Sequence, residues 1–276
     1  MKKIIIVGSS GFVGRSLNNF LNKKNYKIIN FSRSNKKDIL KVKKLPKSNY
    51  IIYCVKTNDI KKSLHLFKHF ENLLKNYSKR IKILFFSSGS VYGPRFQIKK
   101  FKETDKVSLK KINNFNNYKK NYAKEKIYLE KEFIKLSKEG FKVSIVRGFA
   151  FYGKYILKYN YLISEIIKAI KTKRKLSIQN KTFRSYMHAN DMCRWLLKIV
   201  KNSSIKCPIY NLGSDKKIDL YKLIKFLNKK YKSKIFIKNK ENKKVDFYIP
   251  SINLAKSRLK LKNTIKFENA INSLIK

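Results

Sequence analysis

The stretch Ile4-Ile5-Ile6-Val7-Gly8-Ser9-Ser10-Gly11-Phe12-Val13-Gly14 decides the fold. Four aliphatic residues in a row read as a strand buried on both faces. Three glycines follow at intervals of three. Phe12, Val13, Leu17, Phe20 and Leu21 then recur at helical spacing, so a helix opens directly after the turn. Glycines let the backbone turn tightly and come close to a pyrophosphate. The helix N-terminus turns its free N–H groups towards that anion. The spacing is GxxGxxG rather than GxGxxG. A plain glycine-rich turn is the bland alternative. The strand–turn–helix setting selects a dinucleotide site, with Gly8, Ser10, Gly11, Phe12, Val13 and Gly14 as its candidate contacts.

Outward from this stretch the alternation continues. Strands are expected at 27–32, 50–55, 81–87 and 142–147, and helices at 12–24, 60–77 and 118–138. Alternating strands and helices predict an α/β fold, a doubly wound parallel sheet of the Rossmann type. Residues 89–117 lack periodicity, and so long a loop is usually functional. Beyond Gly153 the pattern changes to helices near 160–171, 190–201, 219–231 and 267–275. Strand-like pieces lie near 174–178, 208–212 and 234–238. We expect a dinucleotide-binding domain over 1–153, with a last strand or helix returning from later sequence. A smaller α+β lobe over 154–276 would bind substrate.

The 276 residues carry 68 Lys+Arg against 16 Asp+Glu, a formal charge of +52. That charge first suggests nucleic acid or an anionic membrane surface. Its make-up argues otherwise. Lys supplies 59 of the 68, whereas bidentate recognition of phosphates and bases favours Arg. Lys and Ile are residues of A/T-rich codons, so coding bias is the simpler account, and a nucleic-acid partner is not expected. With 43% hydrophobic residues the chain can build a core. Cys54, Cys193 and Cys207 fit neither a disulfide framework nor a zinc pattern. The apolar run after Met1-Lys-Lys stops at Gly8, too short for a signal segment. No run approaches the ~18 apolar residues of a membrane span. A reducing, cytoplasmic setting is the expectation.

Three further places can carry chemistry. An NAD site usually sets an Asp or Glu at the end of its second strand, on the ribose 2′-hydroxyl. Here that end reads Asn30-Phe31-Ser32-Arg33. No carboxylate repels a 2′-phosphate, and Arg33, with Arg15, would clamp one. NADP(H) is therefore favoured, with NAD(H) as the alternative. Tyr122 and Lys126 stand at i and i+4 and share one helix face. An ammonium there would lower the Tyr pKa and make a general acid or base. Ser87-Ser88-Gly89-Ser90-Val91-Tyr92-Gly93 closes a strand, where ligands of open α/β sheets bind. His65 and His69, also i and i+4, lack a third ligand, so no metal site is expected. Trp195 reads as core of the second lobe.

The ordered set of motifs resembles the extended short-chain dehydrogenase/reductases, in particular the NAD(P)-dependent epimerase/dehydratase group acting on nucleotide sugars. GSSGFVG (8–14) matches the cofactor turn, and SSGSVYG (87–93) the Ser/Thr-x-x-Val-Tyr-Gly segment. Glu103-Thr104-Asp105 matches the stretch before the active-site helix. Tyr122 to Lys126, with Glu130, matches YxxSKxxxE. RGFAFYG (147–153) resembles R-x-x-N-x-Y-G, Arg184 to Asp191 resembles RDFxHVxD, and YNLGS (210–214) resembles YNxGS. The resemblance implies Tyr122 as acid/base, Lys126 as its modulator and ribose ligand, and Ser88 on the reacting oxygen. It implies Asp38 near the adenine, Val55 along the cofactor, and Ser90, Ala150 and Arg184 on the substrate, with Arg184 at the diphosphate.

Departures narrow the chemistry. The family's 4,6-dehydratases carry Asp-Glu where this chain has Gly89-Ser90, so dehydration is disfavoured. Ala150 replaces an Asn that helps hold the nucleotide diphosphate. The favoured expectation is NADPH-dependent reduction of a 4-keto sugar nucleotide. The alternatives are a 4-epimerase with bound NAD, or a non-catalytic RNA- or polyanion-binding member of the fold. By analogy with relatives, helices 60–77 and 118–138 would form a homodimer interface.

Overall fold

The computed structural model describes residues 1–33, 37–159, 161–179, 181–238 and 245–275. The first half runs β1 (Lys2–Val7), α1 (Phe12–Leu21), β2 (Tyr26–Phe31), β3 (Tyr50–Tyr53) and α2 (Ile60–Leu74). Then follow β4 (Lys82–Ser88), α3 (Leu109–Ile112), α4 (Asn117–Lys138) and β5 (Lys142–Gly148). The second half runs β6 (Phe151–Tyr152), α5 (Leu162–Lys171), β7 (Leu176–Gln179), β8 (Thr182–Arg184), β9 (Met187–His188) and α6 (Ala189–Lys201). It ends with β10 (Ile209–Leu212), β11 (Ile218–Asp219), α7 (Leu220–Tyr231), β12 (Ile235–Lys238), β13 (Asp246–Tyr248), α8 (Asn253–Leu259) and α9 (Phe267–Ile275).

Six parallel strands form the main sheet in the order β2-β1-β3-β4-β5-β10. Alternate residues of each strand face opposite sides. Ile4, Ile6, Ile52, Leu84 and Val146 belong to a core that includes α1 and α6 residues. Ile5, Val7, Ile51, Tyr53, Ile83 and Phe85 pack with Phe67, Phe70 and Phe133 of α2 and α4. Both faces are covered, which is why these strands read as unbroken apolar runs. Phe85 and Phe133 stack at 4.5 Å between centroids, fixing α4 against β4.

Two elements of this layer come from beyond residue 153. α6 packs beneath the sheet, and β10 pairs with β5. Trp195 of α6 is fully buried, but in the core beneath the main sheet rather than in the second lobe where it was expected, because α6 returns to cover that sheet. The later segments form three small sheets, β11-β8-β13, β12-β7 and β6-β9. Residues 89–117 are less irregular than their sequence suggested. A 3-10 turn spans Gly89–Tyr92, α3 follows, and Val91, Tyr92, Phe101 and Ile112 join Ala123, Ile127 and Phe149 in a small core. α1 stops at Leu21 and α2 at Leu74, three residues short of the expected ends, where Asn22-Lys23-Lys24 and Lys75-Asn76 break the apolar spacing.

The order of strands reverses between β1 and β3. A crevice opens at such a switch point, beyond the carboxyl ends of the strands, and it places the site.

Candidate active site

The glycine turn sits at the switch point. Gly8 has φ +96°, a conformation that favours glycine, and a Cβ there would lie 2.8 Å from the Cys54 backbone. At Gly14 a Cβ would come within 2.5 Å of the Gly8 oxygen and the Ser9 Cα. Both glycines are required by the chain's own packing. Gly11 is different. A Cβ there would meet only the Gly8 oxygen, at 3.6 Å, an ordinary contact. Internal packing does not demand glycine at 11, but a group approaching the N-terminus of α1 would. That N-terminus has no side-chain cap. By contrast Asp59, Asn116 and Asp219 cap α2, α4 and α7. The turn therefore fits the pyrophosphate of a dinucleotide, with the N–H groups of Phe12, Val13 and Gly14 facing it.

Beside the turn, Arg15 Nε donates to the Ser10 carbonyl at 2.7 Å, and Tyr159 donates its phenol to the same oxygen at 3.1 Å. Ser32, at the end of β2, is buried and its N–H bonds to the Lys37 carbonyl. Arg33 follows on the surface, exposed. Asp38 caps a short 3-10 turn through Oδ1, which accepts from Leu40 N at 3.1 Å.

Ser88 ends β4, and Tyr122 and Lys126 lie on the face of α4 turned to the same sheet edge. The Ser88 hydroxyl faces the Tyr122 phenol. Ser88 Oγ accepts from the Ser90 N–H at 3.2 Å and the Ser90 hydroxyl at 3.0 Å. Ser90, expected on the substrate, thus orients Ser88. Lys126 is 1% exposed. It donates to the Val55 carbonyl at 2.7 Å and pairs with Glu125 at 3.2 Å. Its Nζ stands 5.5 Å from the centre of the Tyr122 ring.

The expected lowering of the Tyr122 pKa is not what this geometry gives. Burial pushes the phenol well above the ordinary tyrosine value, Tyr161, Tyr248 and Glu125 add to it, and Ser88 opposes. The Lys126 ammonium is itself pushed down by burial, with Glu125 opposing. Glu125, fully buried beside Lys126, adds to the rise. It stands where YxxSK has its Ser, and that departure was the signal visible in the sequence.

Three more side chains at the site were not singled out by the sequence. Lys56 hydrogen-bonds to the Tyr118 phenol at 3.1 Å and lies 5.0 Å from the Tyr122 ring centre. Tyr161 stands 5.7 Å from the same ammonium. Tyr248 of β13 faces Ser88. They are far from the motif residues in sequence and carry no spacing signal.

Arg184 does not reach this group directly. Its guanidinium pairs with Asp246 at 2.5 Å and donates to the Phe183 and Asp246 carbonyls. Ala150 follows β5, and its carbonyl accepts from Met187 N at 3.0 Å. Several other motif residues meet behind the site. Arg147 clasps Glu130 through Nε at 3.0 Å and Nη2 at 2.8 Å. Ser87 donates to Glu130 at 2.6 Å, Arg147 to Tyr92 at 3.0 Å, and Tyr92 to Asn211 at 2.8 Å. Glu103 accepts from Asn211 N at 2.9 Å. Asp191 accepts from the Thr264 and Ile265 N–H groups at 2.8 and 3.0 Å, pinning the C-terminal segment. His188 caps α6 through Nδ1, and His69 bonds to the Val42 carbonyl.

Among the described residues no helix is long and apolar enough to cross a membrane. No curated protein matches the chain by sequence. Solved structures match its fold. RMD from Pseudomonas aeruginosa, complexed with NADPH, is 17% identical with a TM-score of 0.78, covering 100% of this chain and 96% of that one. The dTDP-glucose 4,6-dehydratase of Bacillus anthracis, in complex with NAD, is 17% identical with a TM-score of 0.77, over 100% and 96%. The UDP-N-acetylglucosamine 4-epimerase of Bacillus cereus is 16% identical with a TM-score of 0.76, again over 100% and 96%. The family described as NAD dependent epimerase/dehydratase matches residues 4–213, most of the chain and all of the main sheet but its first two residues. On this match, and with the glycine turn at the sheet's switch point, the chain belongs to the NAD dependent epimerase/dehydratase family.

Proposed function

We propose that the chain is an NADPH-dependent reductase of a 4-keto nucleotide sugar, with Tyr122 as proton donor. The observation that carries this reading is Tyr122 itself. Its ring stands beside the Lys56 and Lys126 ammonium groups, at the end of the strand that carries Ser88, and like any tyrosine it is protonated at neutral pH. A protonated phenol is what a carbonyl oxygen needs as its carbon receives a hydride. When bound, the nicotinamide supplies that hydride.

The chain's residues do the rest. The α1 N-terminus and Gly11 hold the pyrophosphate, and Arg33 takes the 2′-phosphate. Asp38 would take the adenosine side and Val55 the nicotinamide side of the bound cofactor. Lys126 keeps a third ammonium proton for the ribose after serving Val55 and Glu125. With its lone pairs taken by Ser90, Ser88 has its O–H left to donate to the carbonyl oxygen. Tyr122 passes its proton to that oxygen, giving the alcohol, and regains one from water. Gly89 and Ser90 offer no carboxylic acid for expelling water, which favours reduction over dehydration. Ala150 and Arg184 border the substrate lobe.

Two measurements test this. NADPH should bind more tightly than NADH in calorimetry, and turnover of 4-keto nucleotide sugars should consume NADPH. Tyr122→Phe should lower kcat at least about 100-fold while NADPH still binds. Unchanged kcat in that variant would remove Tyr122 from the chemistry. Tightly retained NAD with no NADPH consumption would point instead to a 4-epimerase.

A further inference from the structure

Glu125 is 0% exposed and Lys126 1%. Side chains of these two kinds are almost never so deep unless they are paired. Lys126 Nζ lies 3.2 Å from Glu125 Oε1. Among the described residues no other carboxylate comes within 4 Å of Lys126, and no other cation within 4 Å of Glu125. Consecutive residues on a helix do not ordinarily face each other. Here a second anchor sets the geometry, because the same ammonium donates to the Val55 carbonyl at 2.7 Å. The other oxygen of Glu125, Oε2, lies 3.1 Å from the Thr57 hydroxyl. That hydroxyl also lies 2.7 Å from the Asp59 carbonyl, and its one proton serves a single acceptor at a time. Each member of the pair therefore depends on the other for its counter-charge.

The surrounding groups do not replace either charge. Burial keeps the Tyr53 phenol and the Cys54 thiol, at the end of β3, in their uncharged forms. Tyr118 and Tyr122 of α4 present phenols. Lys56 is charged, but with the wrong sign to relieve Lys126. Phe85 of β4 offers only a ring, 5.5 Å from Nζ.

We propose that Glu125 is a positioning residue for Lys126: its carboxylate holds the ammonium at the Val55 carbonyl and leaves one N–H for the ribose of a dinucleotide. The serine of YxxSK would offer a hydroxyl there but no charge. The ribose contact rests on the function proposed above. The pairing itself does not.

Urea unfolding of the full chain tests the pairing, with wild type, Glu125→Gln, Lys126→Met and the double variant. At pH 7 each single variant should lower the folding equilibrium constant at least about 100-fold, and the double variant should lose far less than the product of the two. The pH slopes have opposite signs. In Glu125→Gln the folded chain holds the Lys126 proton more weakly than the unfolded chain, so stability relative to wild type rises between pH 7 and about 9. In Lys126→Met the buried carboxyl keeps a proton that the unfolded chain releases, so stability relative to wild type rises as pH falls from 7 to about 5.5. Losses that simply multiply, or differences that do not change with pH, overturn the pairing. Calorimetry with NADPH tests the positioning. Glu125→Gln should raise the Kd about tenfold. An unchanged Kd overturns the positioning role, and Lys126→Met then tells why. If its Kd is also unmoved, the ribose contact is wrong. If its Kd is raised, Lys126 reaches the ribose without help from Glu125.

Discussion

Replacing Arg147 by Met tests what holds α4 to the sheet. Arg147 is 5% exposed and Glu130 4%. Two parallel bonds join them, and Ser87 supplies Glu130 with a third. Arg147→Met fits the space but leaves a buried carboxylate with a single hydroxyl donor. Removing one partner of such a pair costs about 3–5 kcal/mol, because the remaining charge stays out of water. That is a large part of a total stability of roughly 5–15 kcal/mol. The double variant Glu130→Leu/Arg147→Met removes the charge as well. What then loses a partner is the Ser87 hydroxyl, about 1–3 kcal/mol, together with a long bond to the Glu103 carbonyl, since Tyr92 still donates to Asn211. The double variant should therefore be more stable than Arg147→Met alone. Urea denaturation followed by circular dichroism reads all four corners of the cycle. A loss under about 1 kcal/mol for Arg147→Met, or losses that simply add, would refute the reasoning.

Other variants separate packing from binding. Gly14→Ala should destabilise the fold by about 1–3 kcal/mol, because its Cβ meets backbone at 2.5 Å. Gly11→Ala should change stability by under about 1 kcal/mol yet weaken NADPH binding at least about tenfold; calorimetry and urea melts on the same samples check the split. Arg33→Ala should raise the Kd for NADPH about tenfold and leave that for NADH unmoved. For His188, burial holds the folded pKa below 6.5, with Asp191 opposing. As pH falls through about 6.5 the unfolded chain takes up a proton that the folded chain does not, so stability is lost on the acid side. His188→Asn keeps a cap on α6 and should flatten that loss; parallel urea midpoints at pH 7.5 and 5.5 in both proteins would contradict it.

Most of the main sheet was legible because its strands are buried on both faces and its glycine turn has a fixed chemistry. Ile4–Val7, Ile51 and Ile52 could hardly be anything but core. A returning strand or helix was expected, but which element it would be was not legible, since nothing local says which sheet a strand joins. The motifs singled out Ser88, Tyr122 and Lys126 but did not tell them from the buried residues behind them. Tyr92, Glu103, Glu130, Arg147 and Asn211 look as specific as the site residues, yet they form the buried network behind it. Lys56 and Tyr248 were invisible for the opposite reason. They reach the site by tertiary packing, from a strand end and from a lobe whose spacing to Tyr122 follows no period. The basic excess proved to be a poor guide as well. Lys126, the lysine the motifs single out, is nearly solvent-free and paired to a neighbouring carboxylate.

The late arrival of β10 has a bearing on synthesis. When residues 1–148 have left the ribosome, β5 is the outer strand of a five-stranded sheet with its edge unpaired, and Tyr92 lacks the Asn211 amide. Both wait for about sixty further residues. Unpaired strand edges invite pairing with other nascent chains. The vulnerable interval in this protein's life is therefore the emergence of residues 149–212 from the ribosome, and slowing elongation while they emerge should increase aggregation.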